Sequence, residues 1–309
     1  MNWPHKDLIG IADLEAEEIT TIFDLAPNFK EISRRDIKKV PTLRGKTVVL
    51  IFYEASTRTR LSFEIAAKRL SADTVAISQT GSAFQKGETM MDAAKNIMAM
   101  MPDCIVMRYP YAGMLPRLAK ELPCSVINAG DGYHEHPTQA LLDMYSMREH
   151  FGALKGLNVV MVGDIMHSRV ARSNVYGLKK MGARVTLVGP KTLMPPGIES
   201  WGAAVSTEFD PVIPDADVIM MLRIQKERIA EHLFPGDREY SSFYGLGKAR
   251  VAMMKKDAVI MHPGPMNRGV EINSDAADSK RAIILDQVEN GVAIRMALMY
   301  LCLGGSNVD

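Results

Sequence analysis

The stretch TVVLIFYEASTRTRLSFE, residues 47–64, decides the fold. Its opening, Thr47 to Tyr53, is an apolar run of strand length, suited to a strand covered on both faces. Leu61, Ile65 and Leu70, with Phe63 and Ala66 beside them, then recur at helical spacing, so a strand runs directly into a helix. That helix carries Arg58 and Arg60 in its first turn. A helix N-terminus is already partly positive and favours Asp or Glu there by about 0.3 to 1 kcal/mol per charge. Guanidiniums beside the hydroxyls of Ser56, Thr57 and Thr59, at a helix start with orphan N–H groups, make a site for a tetrahedral dianion, with phosphate the obvious candidate. The competing reading is an ordinary N-cap by Ser56 or Thr57 with surface arginines; Arg108, closing a neighbouring strand-like run, weighs towards the anion site.

Working outward, the same alternation repeats. A helix is expected around 14–34, strand-like runs at 47–53, 74–78, 104–109 and 125–129, and helix-like runs at about 57–71, 88–101 and 113–122. HPTQALLDMYSMREHF (136–151) is a longer helix that leads into a short turn. The pattern then restarts with strands at 158–164, 184–190, 203–207, 217–222 and 258–263 and a helix running to about 182. The expected class is α/β, two doubly wound domains, each a mainly parallel sheet flanked by helices, over 1–150 and 151–285. The closing apolar helix, 284–303, has no strand of its own to cover, and the segment 286–309 is expected to pack back on the first domain.

Composition narrows the function classes. With 309 residues, 47% hydrophobic and 24% charged, the chain holds two domains with real cores. Its 37 basic and 36 acidic residues give a net charge of +1, no global reason to expect a nucleic-acid or membrane partner, so anion recognition has to be local. Cys104, Cys124 and Cys302 lack metal-type spacing and read as reduced core thiols of a cytoplasmic protein. No apolar run approaches the length of a membrane span, and the N-terminus lacks a signal-peptide pattern. The 22 methionines, many at helical spacing as in MMDAAKNIMAMM (90–101), read as core filling.

In doubly wound domains ligands gather at the carboxyl ends of parallel strands. The unusual polar clusters stand there: STRTR (56–60), GSAFQKGE (81–88), Arg108 and NAGDGYHEHPTQ (128–139) in the first half, then GDIMHSR (163–169), RIQKER (223–228) and HPGPMNRG (262–269) in the second. A GxxxxGK[ST] phosphate loop is absent, and VGDIMHSR lacks the second glycine that lets a pyrophosphate approach, so a dinucleotide is disfavoured. His134 and His136 alternate without a third supported ligand, so no metal is assigned. His136 instead starts a helix, with Pro137 in its first turn.

Taken together, FYEASTRTRLSFE, FQKGET, IVMRYP, HPTQALLD, VGDIMHSRVARS, RIQKER and HPGPMNRGVEI resemble the carbamoyltransferase family, and within it the catalytic chains of the aspartate carbamoyltransferases. The seven motifs stand in family order across nearly the whole chain. The resemblance implies two α/β domains that bind carbamoyl phosphate and L-aspartate in the cleft between them, and homotrimers whose active sites are shared between subunits. It implies that Ser56, Thr57, Arg58 and Thr59 bind the phosphate, with Arg58 steadying it as it leaves, and that Arg108 bridges phosphate and carbonyl oxygen. Thr59, Arg108 and His136 would point at the carbamoyl oxygen and Gln139 at the carbamoyl amide; Gly264 and Pro265 would offer backbone carbonyls to the same amide. Ser82 and Lys86 match a loop that reaches into the adjacent subunit's site, and Arg169, Arg223 and Gln225 match the aspartate-binding residues.

The implied chemistry needs no covalent nucleophile, cofactor or metal, and belongs to an early step of pyrimidine biosynthesis. Two carboxylates call for two or more positive forks, which suits HPGP and RIQKER to aspartate; an ornithine enzyme would show an HCLP-type stretch and an SMG segment instead. HPGPMNRG departs from the HPLPR form of some members and adds Arg268 as an extra charge, and Gln85 stands where some relatives carry a second lysine. The remaining readings are a carbamoyltransferase for another amine, a nucleotide-binding enzyme, and a silent scaffold subunit of a pyrimidine-pathway assembly; the last would be expected to lack Arg58, His136 or Lys86, and all three are present. A regulatory chain or a dihydroorotase partner is left open.

Overall fold

The computed structural model describes residues 3–78, 89–225 and 236–304. The chain divides into two compact units, Met1–Leu141 with Glu289–Asp309, and Leu142–Val288. In unit 1 the apolar run becomes β1 (Thr47–Phe52), buried from its second residue on. It pairs in parallel with β2 (Asp73–Ser78) on one side and β3 (Cys104–Tyr109) on the other, with β4 (Ser125–Asp131) beyond β3. The helices of this part of the chain are α1 (Ala16–Ile32), α2 (Thr57–Arg69), α3 (Met90–Met98), α4 (Met114–Glu121) and α5 (Pro137–Phe151). Side-chain alternation sorts the faces: Val49, Ile51, Ile105, Met107 and Val126 pack with Ile97, Leu115 and Leu118 of α3 and α4.

Unit 2 repeats the plan with β5 (Asn158–Val162), α6 (Arg169–Lys180), β6 (Arg184–Val188), β7 (Ala204–Ser206), β8 (Val218–Met221), α7 (Asp237–Tyr244), α8 (Lys248–Met253), β9 (Val259–Met261) and α9 (Ser274–Ala277). Its parallel sheet runs β7-β6-β5-β8-β9. Val160, Val162, Ile219, Met221 and Ile260 share one face, packed with Phe209, Ile213 and Leu246. Both sheets use one device at their amino edge. Asp103, just before β3, accepts from the Thr47 N–H at the start of β1 at 2.8 Å and from Lys46 Nζ at 2.9 Å. Asp217, just before β8, accepts from the Asn158 N–H at the start of β5 at 2.8 Å and from Lys255 Nζ at 2.7 Å. Each carboxylate satisfies a strand-end donor and fixes which strands become neighbours.

The last helix, α10 (Ile284–Gly304), packs against unit 1 for most of its length. Arg34 on the turn after α1 donates to both Glu289 oxygens at 3.0 and 3.2 Å, and the Phe29 and Tyr300 rings lie 5.9 Å apart. Cys104, Cys124 and Cys302 are free thiols, and burial holds the Cys104 thiol well above its ordinary pKa. The methionine-rich stretch is only partly core: α3 ends at Met98, and Met100 and Met101 are 74% and 79% exposed. The segment after β8 is richer in helix than its pattern suggests, because α7 buries only Tyr240 and α8 buries nothing, which leaves no periodicity to read. Among the described residues, no helix is long and apolar enough to cross a membrane.

Candidate active site

Strand order fixes where each unit opens a crevice. From β1 the chain goes to β2 on one side and then to β3 on the other, so unit 1 has its topological switch point between the carboxyl ends of β1 and β3. In unit 2, β6 and β7 lie on one side of β5 and β8 and β9 on the other, which puts the switch point between β5 and β8.

At the unit 1 switch point Phe52 stands in register with Arg108, and the Tyr53 N–H donates to the Arg108 carbonyl at 3.0 Å. The Arg108 side chain is therefore fixed at the mouth of β1, where its Nη2 donates to Glu54 Oε1 at 2.7 Å. Ser56 occupies the N-cap of α2, yet its hydroxyl makes no cap bond; Thr59 is buried, while Thr57 and Arg58 are exposed in the first turn. Beyond β3, the end of β4 is held by a buried polar turn. Asp131 Oδ1 accepts from Asn128 Nδ2 at 2.9 Å and from the Glu135 N–H at 3.1 Å, and Asn128 Oδ1 accepts from the Gly130 N–H at 2.7 Å. Burial would raise the Asp131 carboxyl, but donation from His134, Asn128 and the Glu135 N–H outweighs it and leaves the group below its ordinary value. Glu135 in turn accepts from the Ile11 N–H at 2.9 Å and the Ala12 N–H at 3.4 Å. The turn delivers His136 to the start of α5, with Pro137 as the first helical residue and Gln139 in the first turn; His136 and Gln139 are buried. Unit 1 thus gathers Ser56, Thr57, Arg58, Thr59, Arg108, His136 and Gln139 at the carboxyl ends of three adjacent strands. Ser82 and Lys86 lie outside the described residues.

Unit 2 gathers Arg169, Arg223 and Gln225 after β5 and β8, with Gly264 and Pro265 after β9. Asp164, fully buried, ties these loops: its Oδ1 accepts from the His167 N–H at 3.1 Å, its carboxylate lies 2.9 Å from His167 Nδ1, and its Oδ2 is 3.5 Å from the Gln225 N–H. Ser168 caps α6 by accepting from the Ala171 N–H at 3.1 Å, which places Arg169, 3% exposed, at the first helical position. Gly163 has φ +144°, and a Cβ there would meet the Leu222 carbonyl oxygen at 2.6 Å, so only glycine lets the ends of β5 and β8 approach this closely. After β9, His262 Nδ1 accepts from the Gly264 N–H at 2.8 Å while its Nε2 faces Glu271 Oε1 at 3.1 Å. The two Nη atoms of Arg268 pair with Asp278 at 2.7 Å each. Burial, with the Glu271 and Asp164 carboxylates nearby, pushes the Tyr240 phenol well above its ordinary value.

The pairing of Glu54 with Arg108 and the reach of Asp164 to Gln225 escape a reading of spacing, whereas the bonds of Asp131 and of His167 with Asp164 run to residues three or four away. Glu54 and Arg108 are 54 residues apart and Asp164 and Gln225 are 61 apart, so only the sheet order makes them partners. Among the described residues, no group of three His, Cys, Asp or Glu is arranged to hold a metal ion.

Residues 6–149 match the family model for the aspartate/ornithine carbamoyltransferase carbamoyl-phosphate-binding domain, and residues 155–302 match the model for the aspartate/ornithine-binding domain. The chain is 59% identical over 309 residues to the aspartate carbamoyltransferase catalytic subunit of Syntrophotalea carbinolica, covering 100% of this chain and 99% of that one. It superposes with a TM-score of 0.86 and 26% identity on the aspartate transcarbamoylase of Trypanosoma cruzi in complex with carbamoyl phosphate and aspartate, covering 95% of each chain. The ornithine carbamoyltransferase of Pyrococcus furiosus gives a TM-score of 0.84 and 31% identity over 97% of this chain and 98% of that one. Matched in both halves and in order, the chain belongs to the aspartate/ornithine carbamoyltransferase family.

Proposed function

We propose that the chain transfers a carbamoyl group from carbamoyl phosphate to the amine of L-aspartate, giving N-carbamoyl-L-aspartate and phosphate, an early step of pyrimidine biosynthesis in the cytoplasm. The observation that carries the choice of acceptor is the pair Arg169 and Arg223, with Gln225, at the switch point of unit 2. Two guanidiniums and an amide hold a dicarboxylate and repel the cationic side chain of ornithine. The 59% identity with an aspartate carbamoyltransferase catalytic subunit supports the same choice over another amine or a silent scaffold.

Carbamoyl phosphate belongs to unit 1. Ser56, Thr57, Arg58 and Thr59 take the phosphate at the α2 N-terminus, and Arg108 bridges phosphate and carbonyl oxygen. The unprotonated amine attacks the carbamoyl carbon, a C–N bond forms, and negative charge builds on the carbonyl oxygen. Thr59, Arg108 and His136 donate to that oxygen, Gln139 and the carbonyls of Gly264 and Pro265 hold the amide, and collapse breaks the C–O bond to phosphate. The departing phosphate accepts the amine proton, so His136 acts as a donor and not as a base. Orientation of two small charged substrates supplies much of the remaining rate. Ser82 and Lys86 come from the neighbouring subunit of a homotrimer.

The experiment is carbamoyl-amino-acid formation by the purified chain with carbamoyl phosphate and either L-aspartate or L-ornithine, without added metal. Product with aspartate alone is expected. Product with ornithine, or with neither, overturns the roles of Arg169, Arg223 and Gln225.

A further inference from the structure

One residue of α10 is tied into both helices that open at the unit 1 crevice. Arg295 is 3% exposed. Its Nη1 donates to Ser62 Oγ on α2 at 2.8 Å and to the Gly291 carbonyl, one turn back on its own helix, at 3.1 Å. Its Nη2 donates to Thr138 Oγ1 on α5 at 3.4 Å, and its guanidinium carbon lies 4.9 Å from the centre of the Phe63 ring. Ser62 follows the phosphate-loop residues Ser56 to Thr59 by less than a turn, and Thr138 stands between His136 and Gln139.

We propose that Arg295 is a positioning residue for the phosphate half of the site, its planar fork setting the spacing between the first turns of α2 and α5. The inference rests on the assignment of carbamoyl phosphate to those two turns. A guanidinium is suited to this task because its two Nη donors sit at fixed separation, whereas a lysine offers a single rotatable point. The helix that carries it is itself anchored: Glu289, less than two turns before Arg295, pairs with Arg34 and lies 3.6 Å from Lys30 Nζ. This gives the strandless last helix a reason to pack on unit 1, since it closes a brace across the helices that hold the dianion.

The test is steady-state kinetics on the full chain with Arg295→Met, which keeps an unbranched stem, and Arg295→Lys, which keeps the charge without the fork. Thermal unfolding and inhibition by inorganic phosphate are measured alongside. Both variants are expected to raise the KM for carbamoyl phosphate and the inhibition constant of inorganic phosphate about tenfold or more, with the KM for aspartate within about twofold of wild type. Lysine should restore little, because geometry and not charge is lost. Should Arg295→Met fail to fold, Ser62→Ala and Thr138→Val each remove one acceptor and should raise the same two constants about fivefold. Folded Arg295 variants whose phosphate and carbamoyl phosphate constants stay within twofold of wild type, whatever their melting temperatures, overturn the inference alone; so do unaffected Ser62→Ala and Thr138→Val chains. A wild-type chain that does not saturate with carbamoyl phosphate overturns the underlying assignment and takes this inference with it.

Discussion

Arg108 lies against Glu54, with the two side chains 12% and 26% exposed. The carboxylate keeps the guanidinium aimed at the mouth of β1. On the proposed chemistry Arg108→Ala removes one donor to the developing oxyanion, so kcat should fall about a hundred- to a thousandfold in the carbamoyl transfer assay. Arg117→Ala is the matched control: its exposed pair with Glu121 on α4, at 3.1 Å, is worth about 0.5 kcal/mol and should leave kcat unchanged. The acceptor side is tested by Arg223→Lys. A point charge replaces a bidentate fork, so the KM for aspartate should rise about tenfold while that for carbamoyl phosphate holds. Equal rises in both constants would remove Arg223 from the aspartate site.

At the scale of an element, the β4–α5 connection shows what a sequence discloses and what it hides. HPTQ announces a helix start through Pro137, and the apolar run before it announces β4. Nothing in the pattern announces that Asp131 is fully buried and holds the turn from within: its partners Asn128 and the Glu135 N–H are only three and four residues away, but an Asp in a glycine-containing turn reads equally well as a solvated one. The arginine-bearing strand ends were legible because guanidiniums at a helix start defy the helix dipole; α7, α8 and α9 were not, since short helices with few buried residues carry no period. The Asp131 turn makes a pH prediction. Its folded-state carboxyl lies below the ordinary value of 3.8, so the stabilisation is complete above that pH and is lost as pH falls through the lowered folded value. Asp131→Asn should cost about 1.5 to 3 kcal/mol near neutral pH in denaturant unfolding, and the gap to wild type should close only in that acid range. A gap that closes between neutral pH and 3.8 would contradict the lowered value.

For the whole molecule, the near-balance of charge and the two unit plans were visible in the sequence, which joins the two halves near residue 150 and returns the last helix to the first. The units divide at Leu141/Leu142 and Val288/Glu289, inside α5 and α10, and a helix that runs through a boundary leaves no glycine- or proline-rich linker to mark it. Assembly is the level at which the proposed chemistry is most exposed to test. If each site takes Arg58 from one subunit and Lys86 from its neighbour in a closed trimer, Arg58→Ala and Lys86→Ala chains should each be nearly inactive alone. Mixed in equal amounts after dissociation, about three quarters of random trimers contain both kinds of chain, and each of these has one interface where an intact Arg58 meets an intact Lys86. About one quarter of all sites should then be whole, and the mixture should recover about a quarter of wild-type activity. The measurement is carbamoyl aspartate formation before and after subunit exchange. A mixture no more active than its components would mean that Lys86 serves its own subunit or none, and the shared-site reading would fall while the fold and the two switch-point crevices stayed as they are.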